Sequence, residues 1–272
     1  MREYRYSIEA RWRVESVSPE ELGQRFLAVL DATSGAAPEA GEWQLGKPPY
    51  LGEYLTIGEA NSALSAWVEE NVSAVEGTPD PEDGYQLMAL RMTVPTSKIL
   101  SLIGIIGGRL GDTIRFEVGS AISASDLETV TYNLFRTTLL ALVRHLPPVW
   151  AEATLFVREL PSPSLSKNTA SNSLSRYSRP WLGYICAPLA KGLVLPVGVP
   201  CERTTDGGLL MVAAEERLDP FNPDHMRRSQ AIAATMVAQV GNPPRPGYWP
   251  IDEEWPPTPE ALARRGPPAP YA

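Results

Sequence analysis

From Tyr4 to Val14 the chain alternates. Tyr4, Tyr6, Ile8, Ala10, Trp12 and Val14 interleave with Arg5, Ser7, Glu9, Arg11 and Arg13. A period of two puts the first set on one face of a strand and the charges on the other. The period then changes. Ser18-Pro19-Glu20-Glu21 reads as a capping box with proline at the first helical position. Leu22, Phe26 and Val29 or Leu30 form the buried stripe of that helix, which ends near Gly35. Residues 36–55 are rich in Gly and Pro and read as a long loop holding Trp43. A second capping box, Thr56-Ile57-Gly58-Glu59, opens a helix through Leu64 and Val68.

Further on, an acidic turn, Pro79-Asp80-Pro81-Glu82-Asp83-Gly84, leads into a strand with Met88, Leu90, Met92 and Val94 on one face, stopped by Pro95. Ile99, Leu102, Ile103 and Ile106 have helical spacing, and Gly107-Gly108 ends that short helix. Thr113 to Val118 alternates again, with Ile114, Phe116 and Val118 inward. Ser125-Asp126-Leu127-Glu128 is a third capping box, opening a helix to about His145, and Val149 to Val157 is another strand. Residues 161–180 are Ser-, Asn- and Pro-rich and read as a mobile loop. Trp181 to Ala190 fits either a short helix behind Pro180 or an irregular buried segment. Leu193 to Val197 and Gly208 to Ala213 read as strands, and Asn222-Pro223 caps a last helix with Ile232, Met236 and Val240 on one face.

Strands mixed irregularly with helices, each alternating apolar with charged, predict an α+β fold: a largely antiparallel sheet flanked by helices. A doubly wound nucleotide-binding fold would show continuous apolar strands instead. After Gly241 the character shifts. Residues 242–272 hold ten of the chain's 27 prolines, so an extended proline-rich C-terminal tail is expected. It carries Tyr248, Trp249 and Trp255, so its first part is expected to dock. The division is thus 1–241 for the α+β domain and 242–272 for the partly docked tail.

Charge and composition narrow the function. Apolar residues make up 43% and charged residues 21%, a globular balance. Lys plus Arg is 24 against 32 for Asp plus Glu, a net charge of -8. Phosphate contacts need concentrated positive charge, so nucleic acid is not an expected partner. An acidic surface suits a basic protein instead. The N-terminus lacks the apolar core of a signal peptide, and Ile99 to Ile106 is far short of a bilayer span, so a cytoplasmic chain with no membrane contact is expected. Two cysteines, Cys186 and Cys201, leave open whether they pair.

The motifs that suggest catalysis each lack their context. Gly41-Glu42-Trp43-Gln44-Leu45-Gly46-Lys47 fits seven places of a phosphate-binding loop, but Pro48 stands where Mg²⁺ needs a hydroxyl. Ser164-Leu165-Ser166-Lys167 matches the S-x-x-K of serine acyl-enzymes in a Ser-rich loop without the partner motifs. Asp219, Asp224 and His225 sit in a capping segment, where such groups cap and solvate more often than they bind metal. His145 sits in a last helical turn, where a cation favours the dipole. Cys186 lies in an apolar run, as a small core residue does. No catalytic residue, cofactor or metal is therefore expected.

Three stretches carry a likeness to a known family. One is Tyr6-Ser7-Ile8-Glu9-Ala10-Arg11-Trp12 leading into a capped helix, with Trp43 beyond it. The second is Trp181-Leu182-Gly183-Tyr184. The third runs from Gly207-Gly208-Leu209-Leu210-Met211-Val212 through Leu218-Asp219-Pro220-Phe221-Asn222-Pro223-Asp224-His225. Together, across residues 6 to about 240, they resemble the immunity protein 52 family of bacterial polymorphic-toxin systems. The resemblance implies a non-catalytic antitoxin. Such a protein binds a cognate toxin, often a nuclease of the restriction-endonuclease type delivered by a secretion system, the type VI system among them. The family motifs name no contact residue. The charge pattern suggests two clusters for a basic partner: Asp80, Glu82 and Asp83 in their turn, and Asp252, Glu253 and Glu254 beside Trp255 in the tail. Two other classes stand beside this reading: an enzyme with a hydrolase-type site assembled from scattered residues, and an adaptor protein of a secretion apparatus.

Overall fold

The structure is a computed structural model, described here for residues 2–12, 17–38, 40–46, 54–72, 74–75, 78–79, 84–93, 98–106, 112–118, 129–159 and 176–240. Ten strands form one sheet in which every neighbouring pair is antiparallel. Strand β1 (Arg2–Trp12) lies inside it, between β8 (Asp112–Val118) and β9 (Trp150–Glu159). Beyond β8 come β7 (Lys98–Ile106), β6 (Tyr85–Thr93), β2 (Ala40–Gly46) and β3 (Tyr54–Thr56). Beyond β9 come β10 (Arg176–Ile185), β12 (Leu209–Val212) and β11 (Cys201–Arg203), an edge strand of 3 residues. Strands β4 (Ala74–Val75) and β5 (Thr78–Pro79) pair separately. The helices are α1 (Pro19–Ala36), α2 (Ile57–Ser62), α3 (Leu64–Glu70), α4 (Tyr132–His145), α5 (Ala187–Ala190) and α6 (Pro223–Val240).

Local chemistry sets the helix starts. The Ser18 hydroxyl accepts the N–H of Glu21 at 3.2 Å, but the Glu21 carboxylate turns to Arg25 at 2.7 Å. At Thr56 the box is reciprocal: its N–H donates to Glu59 at 2.8 Å and its hydroxyl accepts the Glu59 N–H at 3.3 Å. The helix it opens breaks at Ala63, which leaves the helical region at φ -144°, so the predicted single helix is α2 followed by α3. Thr131 caps α4 by accepting the Leu134 N–H at 3.1 Å; the expected Ser125 box lies outside the described residues. Asn222 caps α6, its side-chain oxygen accepting from Asp224 at 3.0 Å and His225 at 3.4 Å.

The sheet has two unlike faces. On one, Tyr6, Ile8 and Ala10 stand level with Leu155, Ala153 and Ala151 of β9, and all are buried. Helices α1, α3 and α4 cover this side. Phe135 of α4 meets Tyr6 and Phe116 edge-on, with centroids 6.2 and 5.6 Å apart. The indole N–H of Trp43 donates to the Leu30 carbonyl at 3.1 Å, and that of Trp67 to Gly46 at 3.1 Å. On the other face α6 lies over β10 and β12. It comes close because position 183 has no side chain: a Cβ there would stand 2.6 Å from Ile232 Cγ2 and 3.4 Å from Met236 Sδ.

Several expectations are corrected. Residues 36–55 are not one loop, since 40–46 and 54–56 form β2 and β3 and Trp43 is buried from a strand. Residues 99–106 are strand β7, not a helix: the sheet pairs them with β6 and, over Leu100–Ile105, with β8, leaving Ile106 on the buried face and Ile103 and Ile105 on the exposed one. Met88 and Leu90 do share a face, but Leu87, Ala89 and Arg91 are the buried set beneath the helices. From Arg176 the expected mobile loop is strand β10. It continues through Trp181 to Ile185 with a register shift between Pro180 and Leu182, so the proline sits at the irregularity. Leu193 to Val197 form turn and irregular backbone rather than a strand, and Val194 and Val197 are exposed.

The contact at Gly183 gives a test. Gly183→Val should force α6 off β10 and cost about 1–3 kcal/mol, read from the shift of the denaturant midpoint. An unchanged midpoint would mean that α6 is not seated on that glycine.

Candidate functional site

Three separated stretches of the chain, around Tyr6, Trp181 and residues 207–225, converge at one place. The Tyr6 hydroxyl donates to the Leu218 carbonyl at 2.9 Å, across the sheet. The Tyr6 ring stands edge-on to Trp181 with centroids 5.8 Å apart, and Trp181 lies 5.2 Å from Phe135. The Trp181 indole N–H reaches the Ala214 carbonyl at 2.9 Å. Two residues on, Gly183 pairs with Met211, and the Tyr184 hydroxyl donates to the Asp206 carboxylate. Burial and that carboxylate both push the Tyr184 phenol up, so it stays protonated. A Cβ at Gly208 would stand 2.5 Å from the Tyr184 ring, and Gly207 sits at φ +84°, so each position of the pair needs glycine for its own reason.

His225 belongs to the same segment and is buried. Its Nδ1 accepts the Asp219 N–H at 3.2 Å, so the ring proton sits on Nε2 and donates to Glu216 at 3.1 Å. Asp219 Oδ1 accepts the Phe221 N–H at 2.8 Å, and Asp224 pairs with Arg227 at 3.0 Å. The geometry therefore spends these groups on holding the entry to α6.

The cysteines and His145 are also among the described residues. Cys186 and Cys201 are free thiols, so they do not pair. Burial pushes both thiols up, away from the reactive thiolate. His145 does close α4, but burial and neighbouring Arg144 lower its pKa, which disfavours the cation expected there. The phosphate-loop-like run is largely the extended strand β2, whose Gly41 carbonyl accepts from Arg91. Ser164 and Lys167 lie outside the described residues. Among the described residues no three His, Cys, Asp or Glu side chains are arranged to hold a metal ion. No described helix is long and apolar enough to cross a membrane.

The second sheet face carries a charged cluster at its centre. Arg11 grips Glu9 through Nε at 3.0 Å and through a terminal nitrogen at 2.6 Å. Arg115 sits 3.7 Å from Glu9 and 3.6 Å from Glu117. Glu152 stands directly across from Glu9. Desolvation first, then the like charge of Glu9, pushes its carboxyl up to about 7, with Arg11 opposing. Beside this cluster β7 exposes Ile103 by 38% and Ile105 by 37%, next to half-buried Met88 and Leu90. The alternation in β1 showed that Glu9 and Arg11 share a face. Their partners on β8 and β9 became visible only with the strand order.

No protein-family model matches the chain, and no curated protein matches it. Among solved structures it is similar to Pseudomonas aeruginosa T6SS protein PA0821, with 14% identity and a TM-score of 0.47 over 97% of this chain and 82% of that one. Both acidic clusters, Asp80 with Glu82 and Asp83, and Asp252 with Glu253, Glu254 and Trp255, lie outside the described residues.

Glu152 generates a pH test. Its pKa in the fold, about 7, lies above the ordinary 4.5, so the folded protein binds the proton more tightly. The stability this confers is full below pH 4.5 and is lost as pH rises to about 7. Glu152→Gln should therefore be more stable than the parent above pH 7, by roughly 1–3 kcal/mol. Denaturation curves at pH 5 and pH 8 that shift equally in the two proteins would remove Glu152 from this role.

Proposed function

We propose that this chain is an immunity protein: a non-catalytic antitoxin that neutralises a cognate toxin by protein–protein contact. One observation carries the reading. The three separated stretches that resemble the immunity protein 52 family pack on one another through Tyr6, Trp181, Ala214 and Leu218, which supports reading them as one unit. The supporting chemistry is that His225, Cys186, Cys201 and Tyr184 are held in hydrogen bonds or in protonation states that suit a framework.

The partner is a basic toxin domain, a nuclease in the family's pattern. A nuclease must present positive charge to phosphate, and a protein of net charge -8 competes for that surface. The acidic clusters at Asp80, Glu82 and Asp83 and at Asp252, Glu253 and Glu254 steer the encounter, with Trp255 as an anchor beside the second.

Two measurements test this. An upstream neighbouring gene that encodes a toxin domain would support the reading; co-expression with that domain should then restore growth, and the Cys186→Ala, Cys201→Ala double variant should rescue as well as the parent. A well-folded double variant that fails to rescue would argue for chemistry at those thiols. Separately, charge reversal of either acidic cluster should slow association with the purified toxin domain and flatten its salt dependence. If both reversals leave the on-rate and the salt response unchanged, the clusters take no part in steering.

A further inference from the structure

The segment between α5 and β11 exposes aliphatic side chains that the fold does not use. Val194 is 86% exposed, Leu195 51% and Val197 98%. From Gly192 to Cys201 the chain has no charged residue. The backbone is nonetheless tied at both ends. Leu193 packs on the core and donates its N–H to Ala190 at 3.4 Å. Val199 is buried and closes on the Pro196 carbonyl at 3.3 Å, and the Pro200 carbonyl accepts from Val212 at 2.9 Å. Gly198 has φ +75° at the third position of the Pro196–Val199 turn, the pattern of a type II turn, which holds Val197 at the outer corner. The loop is thus an anchored apolar knob that leads into the short edge strand β11.

We infer that Val194, Leu195 and Val197 are the apolar anchor of this protein's contact with its partner, inserting into an aliphatic pocket on the toxin domain. The inference rests on the immunity reading. Three aliphatic side chains bury on the order of 300 Å². A stable pair of protein copies needs about 800 Å² on each side. Two such knobs meeting tip to tip fall well short, and two convex tips cannot enclose one another. A concave surface on a different protein can enclose the knob and supply the remaining area around it. The lack of charge from Gly192 to Cys201 matches an apolar pocket, because no charged side chain has to be desolvated at the tip. Anchors of this kind are held in place before binding, so little entropy is lost on docking.

The test uses Val194→Ser with Val197→Ser, which removes apolar surface without adding charge. Both side chains are almost fully exposed, so the melting temperature should not move. Binding is measured against a catalytically inactive form of the toxin domain encoded by the adjoining upstream gene, with sedimentation of each protein alone. The expected result is at least tenfold weaker binding, mostly through faster dissociation. Val197→Leu should bind like the parent. If the serine variant binds as tightly as the parent, the loop proposal is overturned and the immunity reading stands. If the parent itself fails to bind the toxin domain, both fall. If the parent self-associates and the serine variant does not, the knob seats on a second copy and the proposal is wrong about its occupant.

Discussion

The structure depends on how β1 is held from above at Tyr6. The strand is hydrogen-bonded on both sides, so its apolar face must be closed by a third layer, and Tyr6 is where that closure is most specific. Its ring meets Phe135 from α4 and Trp181 from β10, and its hydroxyl holds the Leu218 carbonyl in the segment that leads to α6. Each aromatic contact is worth about 0.5–1.5 kcal/mol beyond area. The hydrogen bond matters through its absence: a buried carbonyl without its donor costs about 1–3 kcal/mol. One residue therefore couples the sheet centre to α4, to the β9–β10 side and to the chain that crosses to the opposite face.

That crossing explains why the two faces are finished differently. Large side chains at Trp43, Trp67, Phe135 and Trp181 fill the space beneath the helices on the first face. On the second, α6 rests on Gly183, where the missing side chain lets Ile232 approach the backbone. Asp219, Asn222 and His225 direct the chain into α6 through backbone hydrogen bonds. Groups that look catalytic in the sequence are therefore used to satisfy the backbone of the largely exposed turn that enters α6.

How much of this was legible follows from which signals were local. Caps were legible at Ser18, Thr56 and Asn222, because a cap involves only a few neighbouring residues. Tyr6, Ile8 and Ala10 of β1 and Ile114, Phe116 and Val118 of β8 were legible as inward, because strict alternation has one reading; Tyr4, Trp12 and Val14 lie outside the residues whose side chains are described. The segment from Ile99 to Ile106 was not. Its spacing fits a helix, and only pairing with both β6 and β8 decides otherwise, although its four isoleucines favour a strand. Residues 40–46 were hidden by surrounding glycine and proline, while the inward pair Trp43 and Leu45 kept the strand period. At the site, no local pattern in the sequence joined the three stretches. The grip of Tyr6 on Leu218 spans 212 residues and has no local trace. The exposed loop misled in the opposite direction: Leu193 to Val197 looks like a core strand, but Gly192 and Gly198 turn it outward.

These constraints separate two kinds of surface on the same protein. Glu9, Arg11, Arg115 and Glu117 already satisfy one another across β1 and β8, so burying them under a partner would desolvate an existing network for little return. Charges of this sort act best at a rim, where they remain hydrated and shape the field that a partner meets first. The aliphatic knob at Val194 and Val197 has the complementary property: it contributes nothing to long-range attraction, and its contact energy appears only once water is excluded. Under the proposed binding to a basic partner, an acidic chain with an uncharged tip would divide recognition into a steering step and a locking step. The first depends on salt and the second on fit.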